Sequence, residues 1–125
     1  IEVDKIVIAS PMYNFSISAT LKAYIDNIVR VGETFSLGEN GVMKGLLGGK
    51  KVVIITSRGA MSYKKGEVLH SFDFQENYLR TLLNFLGITD IVFVNTEAQD
   101  FGTEEFKNCN FEESKKQLLA LAKIW

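Results

Sequence analysis

A chain of 125 residues is long enough for one folded domain with a single hydrophobic core. Hydrophobic residues make up 46% of the sequence and charged residues 23%, which is typical of a globular protein and excludes a disordered one. The formal net charge of −1 gives no attraction to nucleic acid or to an anionic membrane, so neither is expected as a partner.

Signals for targeting and covalent chemistry are sparse. No apolar run is long enough to span a bilayer, and no basic-then-apolar leader marks secretion. The single cysteine, Cys109, has no internal disulfide partner, and no spacing of cysteine and histidine suits a metal. A reducing cytoplasm is therefore the expected location, and no metal site is expected.

The first predicted strand leads into an unusual loop. Ile6–Ala9 is a short run of mostly β-branched apolar residues, and Pro11 has no N–H to give to a strand ladder. The loop then carries three large side chains, Met12, Tyr13 and Phe15, whereas most loops are polar. These side chains indicate a flat apolar ligand, contact with another chain, or simply a plug at the end of the core.

An amphipathic helix is predicted next, because apolar residues recur at helical spacing between positions 21 and 29. Ser16 or Ser18 is expected to cap its start, and Gly32 is expected to cap its end. Residues 33–49 then hold five glycines among apolar residues. This composition predicts a long irregular connection, either functional or a mobile surface loop.

The second half of the chain again alternates strands and helices. Val52–Thr56 and Ile91–Val94 are predicted strands, residues 61–74 look irregular, and a helical face over 78–86 ends at Gly87. A last helix is expected to carry one apolar side, formed by Leu118, Leu119, Ala122 and Trp125.

Continuous apolar strands that alternate with helices predict an α/β fold, with a parallel sheet covered by helices on both faces. Right-handed crossovers place the strand-end loops at one edge of such a sheet. Loops 10–17, 57–66 and 95–103 are therefore expected to converge at the carboxyl edge, where open α/β sheets bind ligands.

Four segments of the chain form a specific pattern: Pro11–Ile17, Leu21–Asp26, Ile55–Gly59 and Phe85–Asp90. They resemble the FMN-dependent NADH azoreductases, which are flavodoxin-like quinone and azo-dye reductases. The resemblance implies a doubly wound parallel sheet ordered 2-1-3-4-5. Residues 1–125 would then be the C-terminal portion of a single flavodoxin-like FMN-binding domain, with its last three strands. The relatives' N-terminal part carries two further strands and a phosphate-binding loop.

The resemblance also implies FMN as the cofactor, NADH as the electron donor, and quinones or azo compounds as acceptors. It implies a homodimer with residues of both subunits around the site, and no catalytic side chain is needed for hydride transfer to a flavin. Two segments match the family's flavin-contacting loops: Met12, Tyr13, Asn14 and Phe15, and then Ser57, Arg58 and Gly59, with Ala60 in place of a second glycine.

Plainer interpretations exist for several of these residues. Asn14 is a common turn former, Gly59 suits a tight turn, Ser57 suits a cap, and Arg58 suits a surface charge. The only histidine, His70, is expected to be structural or on the surface.

Two other functions compete with a reductase. A one-electron carrier like flavodoxin is disfavoured by the net charge of −1 and by the long apolar loop at 33–49. The other alternative is a half-domain that folds without activity. Without a preceding part, the chain is expected to bind FMN poorly. Ile6–Ala9 would then be an open strand edge, which an N-terminal segment or a second chain is expected to cover.

Overall fold

The computed structural model describes residues 2–125. The elements run in the order β1 (Lys5–Pro11), α1 (Ala19–Ile28), β2 (Phe35–Leu37), β3 (Met43–Gly45), β4 (Lys51–Ser57), α2 (Phe74–Phe85), β5 (Asp90–Thr96) and α3 (Glu104–Ala122), with a short 3-10 helix at His70–Phe72 before α2. Strands β1, β4 and β5 form a parallel sheet in that order. The predicted strands and their order are therefore confirmed.

The register of this sheet brings the ends of its strands to one edge. Pro11 lies beside Ser57, and Ser57 lies beside Thr96, so the three strands end at the same level. The loops that follow them start side by side, as expected for a parallel sheet. Pro11 is tolerated here because it lies on a strand with only one partner in the described chain.

Helices α1 and α2 cover one face of the sheet and enclose the core. Ile54 of β4 is fully buried in this core. The buried residues clustered with it are Ile25, Leu47, Val52, Leu79, Leu83, Leu86 and Ile88. Ile91 and Phe93 of β5 also pack against this cluster. Because side chains alternate along a strand, Val92 and Val94 face the other side, where α3 lies close through Leu121. Helices on both faces are confirmed.

Helix α1 begins at a predicted cap but does not end at the predicted one. Ser18 is the N-cap, and its hydroxyl accepts a hydrogen bond from the N–H of Leu21 at 3.2 Å. The helix ends at Ile28 with Val29 as its C-cap, so the prediction that Gly32 caps it is wrong. Gly32 instead serves the following turn, where its φ is +82°.

Gly87 ends α2 as predicted. Its φ is +95°, and its N–H donates to the carbonyl of Asn84, while the N–H of Ile88 donates to that of Leu83. These two bonds form a Schellman motif, in which a left-handed residue satisfies the last carbonyls of a helix.

Residues 33–49 contain a β-hairpin, so the expected irregular connection is wrong. Strands β2 and β3 pair antiparallel, with Phe35 opposite Gly45. The turn between them uses Gly41 at a φ of +72°. The backbone of Leu86 lies so close to Gly45 that no Cβ would fit there. Gly41 therefore allows the turn and Gly45 allows the close approach of two backbones, so these glycines do not mark an irregular segment.

The apolar side of α3 differs from the prediction. Ser114 is buried and Leu118 is half-buried, but Leu119 and Ala122 are exposed, and Trp125 lies beyond the end of the helix. Leu119 follows Leu118 by about 100° around the helix, so the two side chains cannot share a narrow buried stripe. No helix within residues 2–125 combines the length and the apolar character needed to cross a membrane.

Candidate functional site

The loops after β1, β4 and β5 meet at the carboxyl edge of the sheet; taken together with the last one or two residues of each strand, they are called here the first loop (10–17), the second loop (57–66) and the third loop (95–103). The N–H of Met12 donates to the carbonyl of Ser57 at 2.8 Å, which joins the first loop to the second. The N–H of Ala98 donates to the carbonyl of Ala60 at 2.8 Å, which joins the third loop to the second. The predicted convergence is therefore confirmed.

The first loop contains a tight turn with an unusual backbone. Tyr13 and Ser16 exchange backbone hydrogen bonds of 2.9 and 3.0 Å, and both residues between them have positive φ, 48° at Asn14 and 68° at Phe15. Asparagine tolerates this conformation, but a bulky residue there costs roughly 1–3 kcal/mol. The surroundings must hold Phe15 in place, and its carbonyl accepts a hydrogen bond from the N–H of Phe74 at 3.0 Å.

The second loop uses its glycine for close approach to the third loop. Gly59 does not have a positive φ, but a Cβ at this position would lie 2.5 Å from the carboxylate of Asp100. Its carbonyl accepts hydrogen bonds from the N–H groups of Asp100 and Phe101, both at 3.1 Å. Ala60 also lacks a positive φ, so alanine in place of a second glycine causes no backbone strain.

Arg58 is buried, so its interpretation as a surface charge is wrong. The side chain is 1% exposed, and Nη1 lies 2.8 Å from Oδ2 of Asp73 and 3.8 Å from Oε1 of Glu97. Nη2 lies 4.0 Å from Glu76, and Nε donates to the hydroxyl of Thr56 at 3.3 Å. No spacing along the chain signals this cluster, because its carboxylates come from α2 and from the third loop.

Tyr63 lies against this buried cation. The guanidinium carbon of Arg58 is 5.2 Å from the centroid of the Tyr63 ring, a cation–π distance. Burial raises the pKa of the Tyr63 phenol above its ordinary value of 10.0, and the charge of Arg58 opposes this only in part. The phenol is therefore neutral at physiological pH. His70 is exposed, and its Nδ1 lies 3.1 Å from the carbonyl of Tyr63, in line with its expected structural or surface role.

A cleft of about 500 Å³ opens among the three loops. Its lining residues are Met12, Tyr13, Asn14, Phe15, Gly59, Ala60, Tyr63, Leu69, Asp100 and Phe101. Six of the eight predicted site residues thus share one cleft, whose volume suits a small organic ligand. Ser57 borders a neighbouring groove, and the side chain of Arg58 points into the protein.

Backbone donors are available around this cleft. Within the described chain, no acceptor meets the N–H groups of Asn14, Phe15, Gly59 or Ala60. By contrast, the N–H of Tyr13 is used inside the first loop. The cleft therefore combines apolar walls with free donors, a combination that suits a flat ligand with acceptor atoms along its rim.

Several residues of the cleft were not singled out from the sequence. Asp100 and Phe101 lie in the third loop, whose convergence was predicted without naming a residue. Tyr63 lies in a stretch that was expected only to be irregular. Gln75, which does not line the cleft but contacts the first loop, was also missed; its Nε2 donates to the carbonyl of Pro11 at 3.0 Å. No motif or spacing in the sequence signals this contact, because it joins residues 64 positions apart.

The fold and the cleft define an α/β protein that presents a ligand site at the carboxyl edge of a parallel sheet. The chain belongs to the family described as having a flavodoxin-like fold, which matches residues 1–121. This confirms the predicted fold class.

Curated relatives carry a consistent name. The FMN-dependent NADH:quinone oxidoreductase 2 of Trichormus variabilis is 45% identical over 123 residues, which cover 98% of this chain and 58% of that protein. The FMN-dependent NADH:quinone oxidoreductase of Hyphomonas neptunium is 50% identical over 99 residues, which cover 79% of this chain and 46% of that protein. The chain thus spans about half the length of the curated relatives it matches.

A solved structure extends this likeness to the fold. The FMN-dependent NADH-azoreductase of Bacillus anthracis, solved in complex with FMN, matches with a TM-score of 0.78 at 30% identity. The match covers 95% of this chain and 56% of that one. The resemblance stated from the sequence motifs is confirmed.

Proposed function

We propose that residues 1–125 form the C-terminal portion of a single flavodoxin-like FMN-binding domain, and that the full-length protein is an FMN-dependent NADH:quinone and azo-compound oxidoreductase. The observation that carries this proposal is the cleft at the carboxyl edge, which gathers six of the eight predicted flavin-contacting residues. The names of the relatives support the cofactor, the donor and the quinone acceptor. The azoreductase structure supports the azo acceptor.

The residues of the cleft fit a flavin ring. Such a ring is flat and mostly apolar, with polar atoms along one rim. Met12, Tyr13 and Phe15 offer apolar surface to it, and the unpaired N–H groups of Asn14 and Gly59 offer donors to its rim. When bound, FMN would supply the redox chemistry, with hydride taken from NADH and two electrons given to the acceptor.

The chain's own groups would hold and tune that cofactor. Fixed N–H donors stabilise negative charge without reorganisation, so the amides of the first and second loops would favour the reduced form of the ring. The exposed rings of Tyr13 and Phe101 would exclude water and stack on a flat acceptor. Ser57 and Arg58 would act indirectly, by holding the second loop in place. The carbonyl of Ser57 already accepts a hydrogen bond from the N–H of Met12, and the guanidinium of Arg58 is buried.

We also propose a homodimer in the cytoplasm, with residues of both subunits around the site. Large exposed apolar side chains support an assembly, among them Leu37, Val42 and Met43 of the hairpin region. The single exposed cysteine, Cys109, is compatible with a reducing compartment.

The test is a cofactor and turnover measurement on the full-length protein. The purified protein should be yellow and should oxidise NADH when a quinone is added. Ala60→Val adds bulk to the cleft wall and should weaken FMN binding, whereas the matched Ala23→Val on the exposed side of α1 should not. A colourless full-length protein that cannot be reconstituted with FMN would refute the proposal.

A further inference from the structure

The first turn of α2 touches both loops that carry the candidate flavin contacts. Three consecutive residues make these contacts. The carboxylate of Asp73 binds the guanidinium of Arg58 in the second loop at 2.8 Å. The N–H of Phe74 donates to the carbonyl of Phe15 in the first loop at 3.0 Å. The side chain of Gln75 donates to the carbonyl of Pro11, also in the first loop, at 3.0 Å.

Gln75 is the least expected member of this group. Its side chain is fully buried, and Nε2 also lies 3.4 Å from the carbonyl of Ser10. Its Oε1 has no hydrogen-bond partner within residues 2–125. A buried amide oxygen without a partner destabilises a fold, so stability alone does not favour glutamine here over an apolar residue of similar size. The Nε2 of this amide instead binds the carbonyls of Ser10 and Pro11, which are the last two of β1.

The turn itself is fixed by the rest of the fold. Asp73 caps α2, because its Oδ1 accepts hydrogen bonds from the N–H groups of Gln75 at 3.1 Å and Glu76 at 2.9 Å. Leu79, one turn further on, is buried in the core. The cap therefore sits on a rigid helix, and rigid elements hold sites more accurately than loops do.

We propose that Gln75 is a positioning residue for the flavin site, which fixes the first loop at its distance from the second through the capped turn of α2. This inference rests on the proposed function. The turn at Asn14 and Phe15 has an unfavourable backbone conformation and would relax if its anchors were weakened. Its two unpaired N–H groups would then no longer be held in one position for the rim of a bound ring.

The test compares two variants of the full-length protein. Gln75→Leu removes the donor and keeps the volume of the side chain. Leu83→Ala, in the same helix but within the core, lowers stability without touching either loop. FMN titration of the apoproteins should show a dissociation constant raised by about tenfold in Gln75→Leu, because a fixed hydrogen bond is lost. In Leu83→Ala it should stay within about twofold, since the folded molecules keep the site intact.

A second variant keeps the test decisive if Gln75→Leu does not fold. Gln75→Glu has the same shape, and when protonated it can still donate to the carbonyl of Pro11. When ionised, it would face two carbonyl oxygens. Its FMN affinity relative to the unmodified protein should therefore fall as the pH rises from about 5.5 to about 8. A ratio that does not change with pH would overturn the proposal.

Amide hydrogen exchange separates failure of this inference from failure of the proposed function. In the apoprotein, Gln75→Leu should speed exchange at Met12 and Ser16, whose N–H groups are bonded in or near the first loop, and Leu83→Ala should not do so selectively. If the unmodified protein never binds FMN, the proposed function fails, and exchange alone then decides on the anchoring. Equal FMN affinity and equal exchange in Gln75→Leu and the unmodified protein would overturn the inference.

Discussion

The carboxyl edge of the sheet and the outer flank of β1 are held in opposite ways. At the edge, polar contacts within this chain join the loops, as in the hydrogen bond from the N–H of Met12 to the carbonyl of Ser57 and the ion pair of Arg58 with Asp73. On the flank, Val7 is 55% exposed and Tyr24 is 61% exposed. Both border an apolar groove of about 390 Å³, and within the described residues β1 pairs with β4 alone.

This comparison teaches that the described residues build the frame of the site at the edge but leave the apolar flank of β1 uncovered. The three loops at the edge are joined to one another by hydrogen bonds within this chain. The flank offers unpaired strand groups and apolar side chains, and such strand edges recruit partners. This supports the proposal of a larger domain, in which the open flank is covered while the edge keeps the geometry described above.

The largest expected effect comes from breaking the interlocked edge at Arg58. Replacing it by methionine removes the cation from the buried carboxylate of Asp73 and from the partly buried carboxylate of Glu97. Removing one partner of a buried ion pair costs about 3–5 kcal/mol. Urea denaturation of the full-length protein should therefore show Arg58→Met to be severely destabilised.

The matched control is Arg30→Met, which removes an exposed arginine paired with Glu33 at 3.5 Å. Exposed pairs contribute little, so this variant should lose less than about 1 kcal/mol. Equal losses in the two variants would mean that the buried cluster does not stabilise the edge, and the contrast between edge and flank would fail.

The flank gives the second largest effect. If it is covered in the full-length protein, Val7→Ala removes two buried methyl groups and should cost about 1–2 kcal/mol. Val68→Ala, at a side chain that is 86% exposed, should cost almost nothing. In an amide exchange measurement on the full-length protein, Ile6–Ala9 should be as protected as the central strand β4.

The opposite result on the flank would be equally informative. If Ile6–Ala9 exchanges as fast as a loop in a soluble monomer of residues 1–125 only, the open edge is tolerated. The argument that this strand needs a cover would then be wrong, and the exposed Val7 would need no partner.

The two regions were also predictable to different degrees. The three strands and their parallel pairing were predictable from three continuous apolar runs, because such runs are typical of parallel strands buried on both faces. Convergence of the loops then followed from topology alone. The burial of Arg58 at the edge was not predictable, since it depends on carboxylates at positions 73 and 97 that only folding brings together. The hairpin at 33–49 was also not predictable, because its glycines indicate an irregular segment in the sequence, whereas in the structure they allow a turn and a close backbone contact.

A smaller effect isolates the backbone strain at the edge. Phe15→Ala and Phe15→Gly both remove the ring, which lies 5.3 Å from that of Phe72, but only glycine removes the penalty of a positive φ. The glycine variant should therefore be more stable than the alanine variant by about 1 kcal/mol. The same pair at Leu119, exposed within α3, should show the reverse order by a similar amount. Alanine more stable than glycine at both positions would show that the turn is unstrained.

The smallest effect is a pH dependence that comes from Tyr63, a buried tyrosine at the edge. Burial raises the pKa of Tyr63 in the folded protein above its ordinary value of 10.0. Below that value the phenol is protonated in both states, and its contribution to stability is fully present. As the pH rises further, the unfolded state ionises first, so the contribution is lost on the way to the folded pKa.

Tyr63→Phe should remove this loss. The difference in urea midpoint between the variant and the unmodified protein should therefore change between about pH 8 and about pH 10.5, with the variant gaining at the higher pH. Val68→Ala, at a side chain that is 86% exposed and carries no titratable group, is the control and should give a difference that stays constant. All other titratable groups are present in all three proteins, so their contributions cancel in these differences. A constant difference for Tyr63→Phe would mean that its phenol is well solvated in the folded protein, and that the Arg58 cluster is open to water on the side of the cleft.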